Sequence, residues 1–226
     1  SLLGRFYGVQ ILNLRTGGLA IYGGVLAGII CALAFSRVKK INTRLFVDTC
    51  APALIIGQAI GRWGNFFNRE AFGNYYDGLS SMLLNVNDVH SDYRRPVEML
   101  ASKYADQPEA LEKILEIRNN TVLIDGAKYI QVHPTFLYES LWSFALVAIM
   151  LIYSKHKRFD GEILIIYFIG YGLGRFWIEG LRTDQLFLPG SPIPVSQLLS
   201  AGLVVIGIGL LVYNIIKNKK TSTKQL

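Results

Sequence analysis

Long apolar stretches alternate with polar connections along most of the chain. A stretch of about 20 apolar residues is long enough to cross a bilayer as a helix. Four windows meet this length: Gly17–Ser36, Pro134–Tyr153, Gly161–Gly180 and Pro194–Tyr213. The pattern therefore predicts a helical protein that crosses a membrane several times.

A fifth stretch, Leu45–Phe67, is less apolar because it carries Asp48, Gln58, Arg62 and Asn65. We still expect it to cross the membrane, since the segments on either side of it belong on opposite sides. The predicted fold class is an all-α polytopic membrane protein with about five transmembrane helices. A hydrophobic content of 51% over 226 residues agrees with this class.

The polar insert 74–132 separates the second predicted span from the third. Within it, Pro96–Asn119 has the apolar spacing of one or two short helices broken near Pro108. Thr121–Val132 contains two β-prone runs around Asp125-Gly126, a pair that favours a type I′ hairpin turn. We predict a small extracytoplasmic α+β head. The expected divisions are a tail and two spans (1–73), the head (74–132), three spans (133–216) and a basic tail (217–226).

The net charge of +7 is distributed unevenly along the chain. Three basic groups lie in alternate connections: Arg37, Lys39, Lys40 and Arg44; Lys155, Lys157 and Arg158; and Lys217, Lys219, Lys220 and Lys224. Basic residues near spans favour the cytoplasmic side. This pattern places the N-terminus and the head outside and the C-terminus in the cytoplasm. It also explains the charge without a nucleic-acid partner.

Arg175 lies in the middle of the apolar window Gly161–Gly180. An arginine at the centre of a bilayer helix costs about 2.5–3.5 kcal/mol on insertion scales, so such residues usually face a polar cavity or a partner. Helical spacing puts several polar residues on the same face: Tyr167, Tyr171, Arg175, Glu179 and Arg182. This stripe predicts either a binding site or the lining of a path.

Other polar residues reach the same depth on neighbouring spans. In the predicted topology Arg62 lies near the outer end of the second span, level with Arg175 on the fourth. Tyr22 and His133 lie at the outer starts of the first and third spans. Two arginines at one level favour phosphate binding, because a guanidinium group binds phosphate oxygens through two hydrogen bonds.

Structural roles for these charges remain open alternatives. Arg62 could pair with Asp48 or Glu70 or extend to the lipid headgroups. Arg175 and Glu179 are four residues apart and could form a purely structural ion pair.

The motif around Arg62 resembles the signature of the prolipoprotein diacylglyceryl transferase family. It runs Gly61-Arg62-Trp63-Gly64-Asn65-Phe66 and continues through Asn68, Glu70 and Gly73. Three further segments support the resemblance: Gly17–Gly24, His133–Glu139, and Tyr171–Asp184 with its Arg-x3-Glu-x2-Arg pattern. Together they follow the family's order over residues 17–200.

The resemblance implies a seven-span fold in the bacterial cytoplasmic membrane. Its N-terminus would lie outside and its C-terminus in the cytoplasm, as predicted from the charges. Because the chain contains about five predicted spans, we expect two N-terminal spans of the family fold to be absent from it. The insert 74–132 would be the family's variable outer head.

The resemblance also implies substrates and site residues. The family's donor is phosphatidylglycerol, and its acceptor is the lipobox cysteine in the signal peptide of a prolipoprotein. The products are a thioether and glycerol phosphate. The reaction would need no cofactor and no metal. Arg62 and Arg175 would hold the donor phosphate as catalytic residues. The residues expected to bind substrate with Arg62 are Asn65, Glu70, Gly73, His133, Tyr171, Glu179 and Arg182.

Tyr22 differs from the family pattern and is the third predicted catalytic residue. Many relatives carry histidine before the two glycines that here are Gly23 and Gly24. An ordinary tyrosine, with a pKa of about 10, is a poor base at neutral pH. A thiol with a pKa of about 8.5 could instead ionise in the positive field of Arg62 and Arg175. The base that ionises the thiol therefore stays open.

A lipid or small-molecule transporter is the alternative function. A transport path should carry polar residues along its whole length, whereas the inner halves of the third, fourth and fifth predicted spans contain almost none. The motifs Gly-x-Ser-x-Gly and His-Glu-x-x-His are absent from the sequence, which argues against a polytopic protease.

Overall fold

The computed structural model describes residues 18–105, 107–183, 185 and 193–223 of the chain. The helices are α1 (Gly18–Val38), α2 (Thr43–Asn68), α3 (Val97–Lys103), α4 (Pro108–Asn119), α5 (Thr135–Ser154), α6 (Glu162–Leu181) and α7 (Val195–Thr223). The strands are β1 (Met82–Asn85), β2 (Val122–Ile124) and β3 (Ala127–Val132), and a short 3-10 helix covers Ser91–Tyr93. The protein is therefore mostly helical, with one small sheet.

The chain divides into two compact units, Ser1–Thr49 and Cys50–Leu226. The first contains α1 and the start of α2. The turn between these helices is packed within the unit: the hydroxyls of Ser36 and Thr43 lie 2.9 Å apart, and the rings of Phe35 and Phe46 have their centroids 5.5 Å apart.

Three of the described helices are long and apolar enough to cross a membrane. They are α5, α6 and the Val195–Asn218 part of α7. Helices α1 and α2 form over the other two predicted windows, but neither meets this criterion among the described residues. In α1 the described segment Ala27–Val38 is apolar but shorter than a span, and α2 carries Asp48, Gln58, Arg62 and Asn65. The structure thus confirms a membrane protein of mostly helical fold, with three of the five predicted spans.

Side-chain contacts hold the second unit's long helices together. In α2, Trp63 Nε1 donates to Ser140 Oγ of α5 at 3.2 Å, and Phe66 lies 4.8 Å from Phe136 between ring centroids. The close approach of α6 and α7 requires glycine at Gly172, where a methyl group would lie 2.8 Å from the Ser200 carbonyl oxygen. These contacts fix the helices that carry the polar stripe.

The head residues fold into an antiparallel sheet with the strand order β1-β3-β2. The predicted hairpin is confirmed, because β2 pairs with β3 and the turn residues Asp125 and Gly126 both adopt positive φ angles of 50° and 77°. The predicted break near Pro108 is also confirmed, since α4 begins there. Strand β1 was not predicted, because its partner β3 lies far along the chain.

Asp92 is a buried polar residue at the centre of the head. Its carboxylate accepts hydrogen bonds from Arg95 at 3.1 Å, from Tyr104 at 2.7 Å and from Lys103. Burial alone would raise the pKa of Asp92. The hydrogen bonds from Lys103 and Tyr104, with the nearby charges of His90 and Lys103, outweigh it and lower the pKa below its usual value.

Candidate active site

The guanidinium groups of Arg62 and Arg175 meet on one carboxylate. Arg62 Nε of α2 lies 2.7 Å from Glu139 Oε2 of α5. Arg175 Nη1 of α6 lies 2.9 Å from the other oxygen, Glu139 Oε1. Only 8% of the Glu139 side chain is exposed. The structure therefore brings the two arginines together through a buried acid.

Glu179 and Arg182 complete this group, which we call the arginine cluster (Arg62, Arg175, Arg182, Glu139 and Glu179). Arg175 Nη2 lies 2.7 Å from Glu179 Oε2. Arg182 lies 3.5 Å from Glu139 and 3.9 Å from Glu179. Three guanidinium groups against two carboxylates leave one net positive charge. The cluster is largely screened from solvent, so that charge acts strongly on a nearby anion.

Arg62 keeps donors available for a further acceptor. Its Nε atom is paired with Glu139. Among the described residues, Glu139 is its one ion-pair partner. Its side chain is 22% exposed, more than those of Arg175 and Arg182. A guanidinium group carries five N–H donors in a planar fork, so Arg62 can bind an anion while it remains paired with Glu139.

The spacing along α6 explains why three members of the cluster share one side. Residues at i, i+4 and i+7 lie on the same helical face, which is the relation of Arg175, Glu179 and Arg182. Arg62 lies near the C-terminal end of α2, and Glu139 in the second turn of α5. Each of the three helices therefore carries its charged residues of the cluster near one of its own ends.

Gly73 occupies a crossing of three chain segments beside the cluster. Its N–H donates to the His133 carbonyl at 3.0 Å, and the next N–H, of Asn74, donates to the Leu181 carbonyl at 2.8 Å. A methyl group at Gly73 would lie 2.7 Å from His133 Cβ and 2.8 Å from the Leu181 carbonyl oxygen. Only glycine allows the backbones at the start of α5 and the end of α6 to be joined this closely.

The loop before Gly73 contains strained backbone. Arg69 and Ala71 adopt positive φ angles of 53° and 56°, a conformation that costs about 1 kcal/mol or more for residues other than glycine. Glu70, between them, lies outside the arginine cluster: it is exposed, and its side chain accepts a hydrogen bond from Asn68 at 3.1 Å. Such strain persists only where surrounding contacts impose it.

His133 lies just before α5 among aromatic rings. Its ring stacks on Tyr76 with 4.1 Å between centroids, and its Nδ1 atom lies 3.2 Å from the Tyr138 hydroxyl. Burial lowers the pKa of His133 below its usual value. Burial therefore favours the neutral form of the imidazole.

The remaining predicted site residues occupy different surroundings. Tyr171 stacks on Tyr167 at 5.5 Å between ring centroids, and Tyr167 accepts a hydrogen bond from Gln58 at 3.0 Å. Asn65 is half-buried, and its carbonyl accepts the Glu70 N–H at 3.1 Å beyond the last turn of α2. Tyr22 belongs to α1 by its backbone, but its side chain lies outside the described residues.

Glu139 is the member of the cluster that sequence reasoning did not assign to the site. It was recognised only as the last residue of the segment His133–Glu139. The available signal was an acid inside the apolar window Pro134–Tyr153, which by itself indicates a buried partner or a function. Following that signal would have paired it with Arg62 or Arg175.

Comparison with known proteins decides the family. The family model described as prolipoprotein diacylglyceryl transferase matches residues 3–213 of the chain. The chain belongs to this family. The resemblance predicted from the Arg62 motif is thus confirmed over most of the sequence.

Similar proteins from the prolipoprotein diacylglyceryl transferase family occur in several bacteria. A phosphatidylglycerol–prolipoprotein diacylglyceryl transferase of Bacillus cytotoxicus is 38% identical over 205 residues, covering 88% of this chain and 62% of that protein. One of Clostridium novyi is 39% identical over 219 residues, covering 96% and 72%. One of Bacillus cereus is 39% identical over 204 residues, covering 88% and 62%. The chain thus spans about three-fifths of the length of two of these relatives.

Proposed function

We propose that this chain transfers the diacylglyceryl group of phosphatidylglycerol to the thiol of a prolipoprotein's lipobox cysteine. The observation that carries the proposal is the convergence of Arg62 and Arg175 on the two oxygens of Glu139. The names of the bacterial relatives support the same reaction. The family match gives no support to the transporter alternative.

The proposed reaction is a displacement at carbon. The cysteine sulfur forms a bond to the terminal glycerol carbon of the diacylglyceryl group, while the bond between that carbon and the phosphate oxygen breaks. The bonding electrons leave with the glycerol phosphate, and the thiol proton passes to solvent or to a base. The products are a thioether and glycerol phosphate.

Arg62 and Arg175 would act on the leaving group. Negative charge grows on the phosphate as the carbon–oxygen bond breaks, so cations that bind it more tightly in the transition state lower the barrier. The Arg62 donors that Glu139 does not occupy would approach the phosphate, and Glu139 would hold that guanidinium beside Arg175. The net positive charge would also favour ionisation of the approaching thiol.

The other predicted residues receive supporting roles in this proposal. Glu179 and Arg182 would orient Arg175, Asn65 and Gly73 would shape the headgroup pocket, and His133 would line the outer entrance. Tyr171 would form a hydrogen bond near Arg175, and Glu70 would contact the substrate from the loop after α2. Tyr22 would face the thiol.

The proposed arrangement in the membrane follows the charge pattern. Five helices would cross the bilayer, with the N-terminal end of the chain outside and the C-terminal end in the cytoplasm. The segments 1–73 and 133–216 would form the membrane body, 74–132 the extracytoplasmic head, and 217–226 the basic cytoplasmic tail. The basic groups in alternate connections support this orientation.

A direct assay tests the proposed function. The purified protein, reconstituted in vesicles that contain phosphatidylglycerol, is given a synthetic lipobox peptide, and the peptide's mass is followed. We expect a gain of one diacylglyceryl group on the cysteine and release of glycerol phosphate. A peptide with serine in place of the cysteine is the control. An unmodified cysteine peptide under these conditions would contradict the proposal.

A further inference from the structure

Lys113 of the head reaches the end of the helix that carries Arg175. Its Nζ atom donates to Gln185 Oε1 at 3.1 Å and to the Arg182 carbonyl oxygen at 3.4 Å. Lys113 lies on α4, beside the face that is buried in the head through Ile114 and Ile117. The head's hydrophobic core therefore fixes the base of this side chain.

The contacts of Lys113 continue into the arginine cluster. Gln185 donates through Nε2 to the backbone carbonyl of Glu179. Arg182 immediately follows the last residue of α6, and its own side chain contacts Glu139 and Glu179. Lys113 thus holds the backbone of Arg182 directly and that of Glu179 through Gln185. The side chains of Arg182 and Glu179 both belong to the cluster.

The charge of Lys113 suits the end of α6. The last carbonyl groups of a helix lack partners within the helix and carry partial negative charge, so a cation there is favourable. Burial lowers the pKa of Lys113, while the charges of Glu109 and Glu179 oppose that change. One of these acids is in the head and the other is in the arginine cluster, so the lysine lies in the field of both.

We propose that Lys113 is a positioning residue for the transferase reaction: through it the head caps the last turn of α6 and holds Glu179 and Arg182 in line with Arg175. This inference rests on the proposed function for its effect on rate, but its structural half can be measured without substrate. Lys113 contacts the cluster at the Arg182 backbone and, through Gln185, at the Glu179 backbone.

The decisive substitution is Lys113→Met, which keeps most of the length of the side chain and removes its charge and donors. We expect kcat for the lipobox peptide to fall about tenfold, the cost of about 1.4 kcal/mol in the barrier, with little change in KM. Lys113→Arg should restore most of the rate, because a guanidinium group can make both contacts. Lys128→Met, at an exposed position on β3, is the matched control and should behave like the unaltered protein.

Hydrogen exchange provides the second measurement. In protein without substrate, backbone amides of residues 179–183 should exchange faster in Lys113→Met than in the Lys128→Met control, and Lys113→Arg should restore their protection. If exchange in this segment is the same in all variants, Lys113 does not cap α6 and the inference is overturned. It is equally overturned if exchange changes while kcat does not.

The two measurements separate this inference from the proposed function. If the unaltered protein transfers no lipid, the proposed function fails, and the positioning role for catalysis fails with it whatever the exchange data show. Suppose that the protein is active and that Lys113→Met lowers kcat without accelerating hydrogen exchange at residues 179–183. The proposed function then stands, and the capping role of Lys113 is wrong.

Discussion

Arg62 Nε and Glu139 Oε2 lie 2.7 Å apart and connect α2 to α5. The same carboxylate contacts Arg175 of α6 through its other oxygen. Without this acid, two guanidinium groups this close would repel each other, and a buried cation without a partner is costly. Glu139 is therefore the internal counter-ion that allows the two arginines to share one level.

Glu139→Gln is expected to disrupt the cluster. Glutamine has the same shape but no charge, so three arginines would face Glu179 alone. Removing one member of a buried ion pair costs about 3 kcal/mol or more, and displaced guanidinium groups should lower the rate by about a hundredfold or more. The measurements are the unfolding midpoint in detergent and the rate of peptide lipidation.

Glu98→Gln is the control for this substitution, because Glu98 is exposed on α3 in the head. It should leave both measurements unchanged. Normal lipidation by Glu139→Gln would show that the arginines do not depend on their shared carboxylate.

Gly73→Ala should interfere with the crossing of three chain segments. The added methyl group would meet His133 Cβ and the Leu181 carbonyl oxygen at less than 3 Å, which forces one backbone segment to move. We expect a stability loss of about 1–3 kcal/mol and a decrease in rate of about a hundredfold. Gly202→Ala, where nothing lies within 4 Å of the added group, is the control. Equal stability and rate in the two variants would mean that the close approach is unimportant.

Asp92→Asn is expected to destabilise the head. The substitution removes the charge that accepts hydrogen bonds from Arg95, Lys103 and Tyr104, at a cost of about 2 kcal/mol. Hydrogen exchange in β1, β3 and α4 should accelerate, while exchange in α7 should not. Unchanged protection across the head would contradict the role of Asp92 as its polar centre.

The lowered pKa of Asp92 also predicts a pH dependence. The folded protein binds the proton less readily than the unfolded chain, so the stabilisation is complete above the ordinary aspartate pKa of about 3.9 and is lost as the pH falls through the lower native value. Asp92→Asn should lack this component of acid unfolding. An identical acid transition in both proteins would assign it to other groups.

Tyr22→Phe tests which group ionises the acceptor thiol. Because an ordinary tyrosine is a poor base at neutral pH, and the cluster's net positive charge favours the thiolate, we expect the rate to fall by less than about tenfold. General bases usually contribute about a hundredfold or more. A loss of that size, with unchanged KM for the lipid, would instead identify the Tyr22 phenol as the base.

The sequence predicted the features that depend on local pattern. The windows of the long helices, the break at Pro108 and the turn at Asp125-Gly126 follow from spacing and residue type. The meeting of Arg62 with Arg175 was predicted from depth and charge, and the structure places both on Glu139. The family was identified from the Arg62 motif and is confirmed.

Features that depend on distant contacts were not predicted. Glu139 joins its partners only when three helices pack, and β1 pairs with a strand far along the chain. The tight contact of Gly73 with His133 and Leu181 likewise has no signal in local spacing. Three of the five predicted spans meet the criteria of length and composition among the described residues, and the polar residues of α2 lower its hydropathy.

The most direct test of the central claim is the lipidation rate of Arg175→Lys in vesicles that contain phosphatidylglycerol. Lysine keeps the charge but cannot contact Glu139 and Glu179 with two separate nitrogens, as Arg175 does at 2.9 and 2.7 Å. We predict a decrease of about a hundredfold or more in kcat, while Arg94→Lys on the exposed surface of the head remains fully active. Turnover by Arg175→Lys equal to that of the unaltered protein would contradict the claim that paired guanidinium groups bind the departing phosphate.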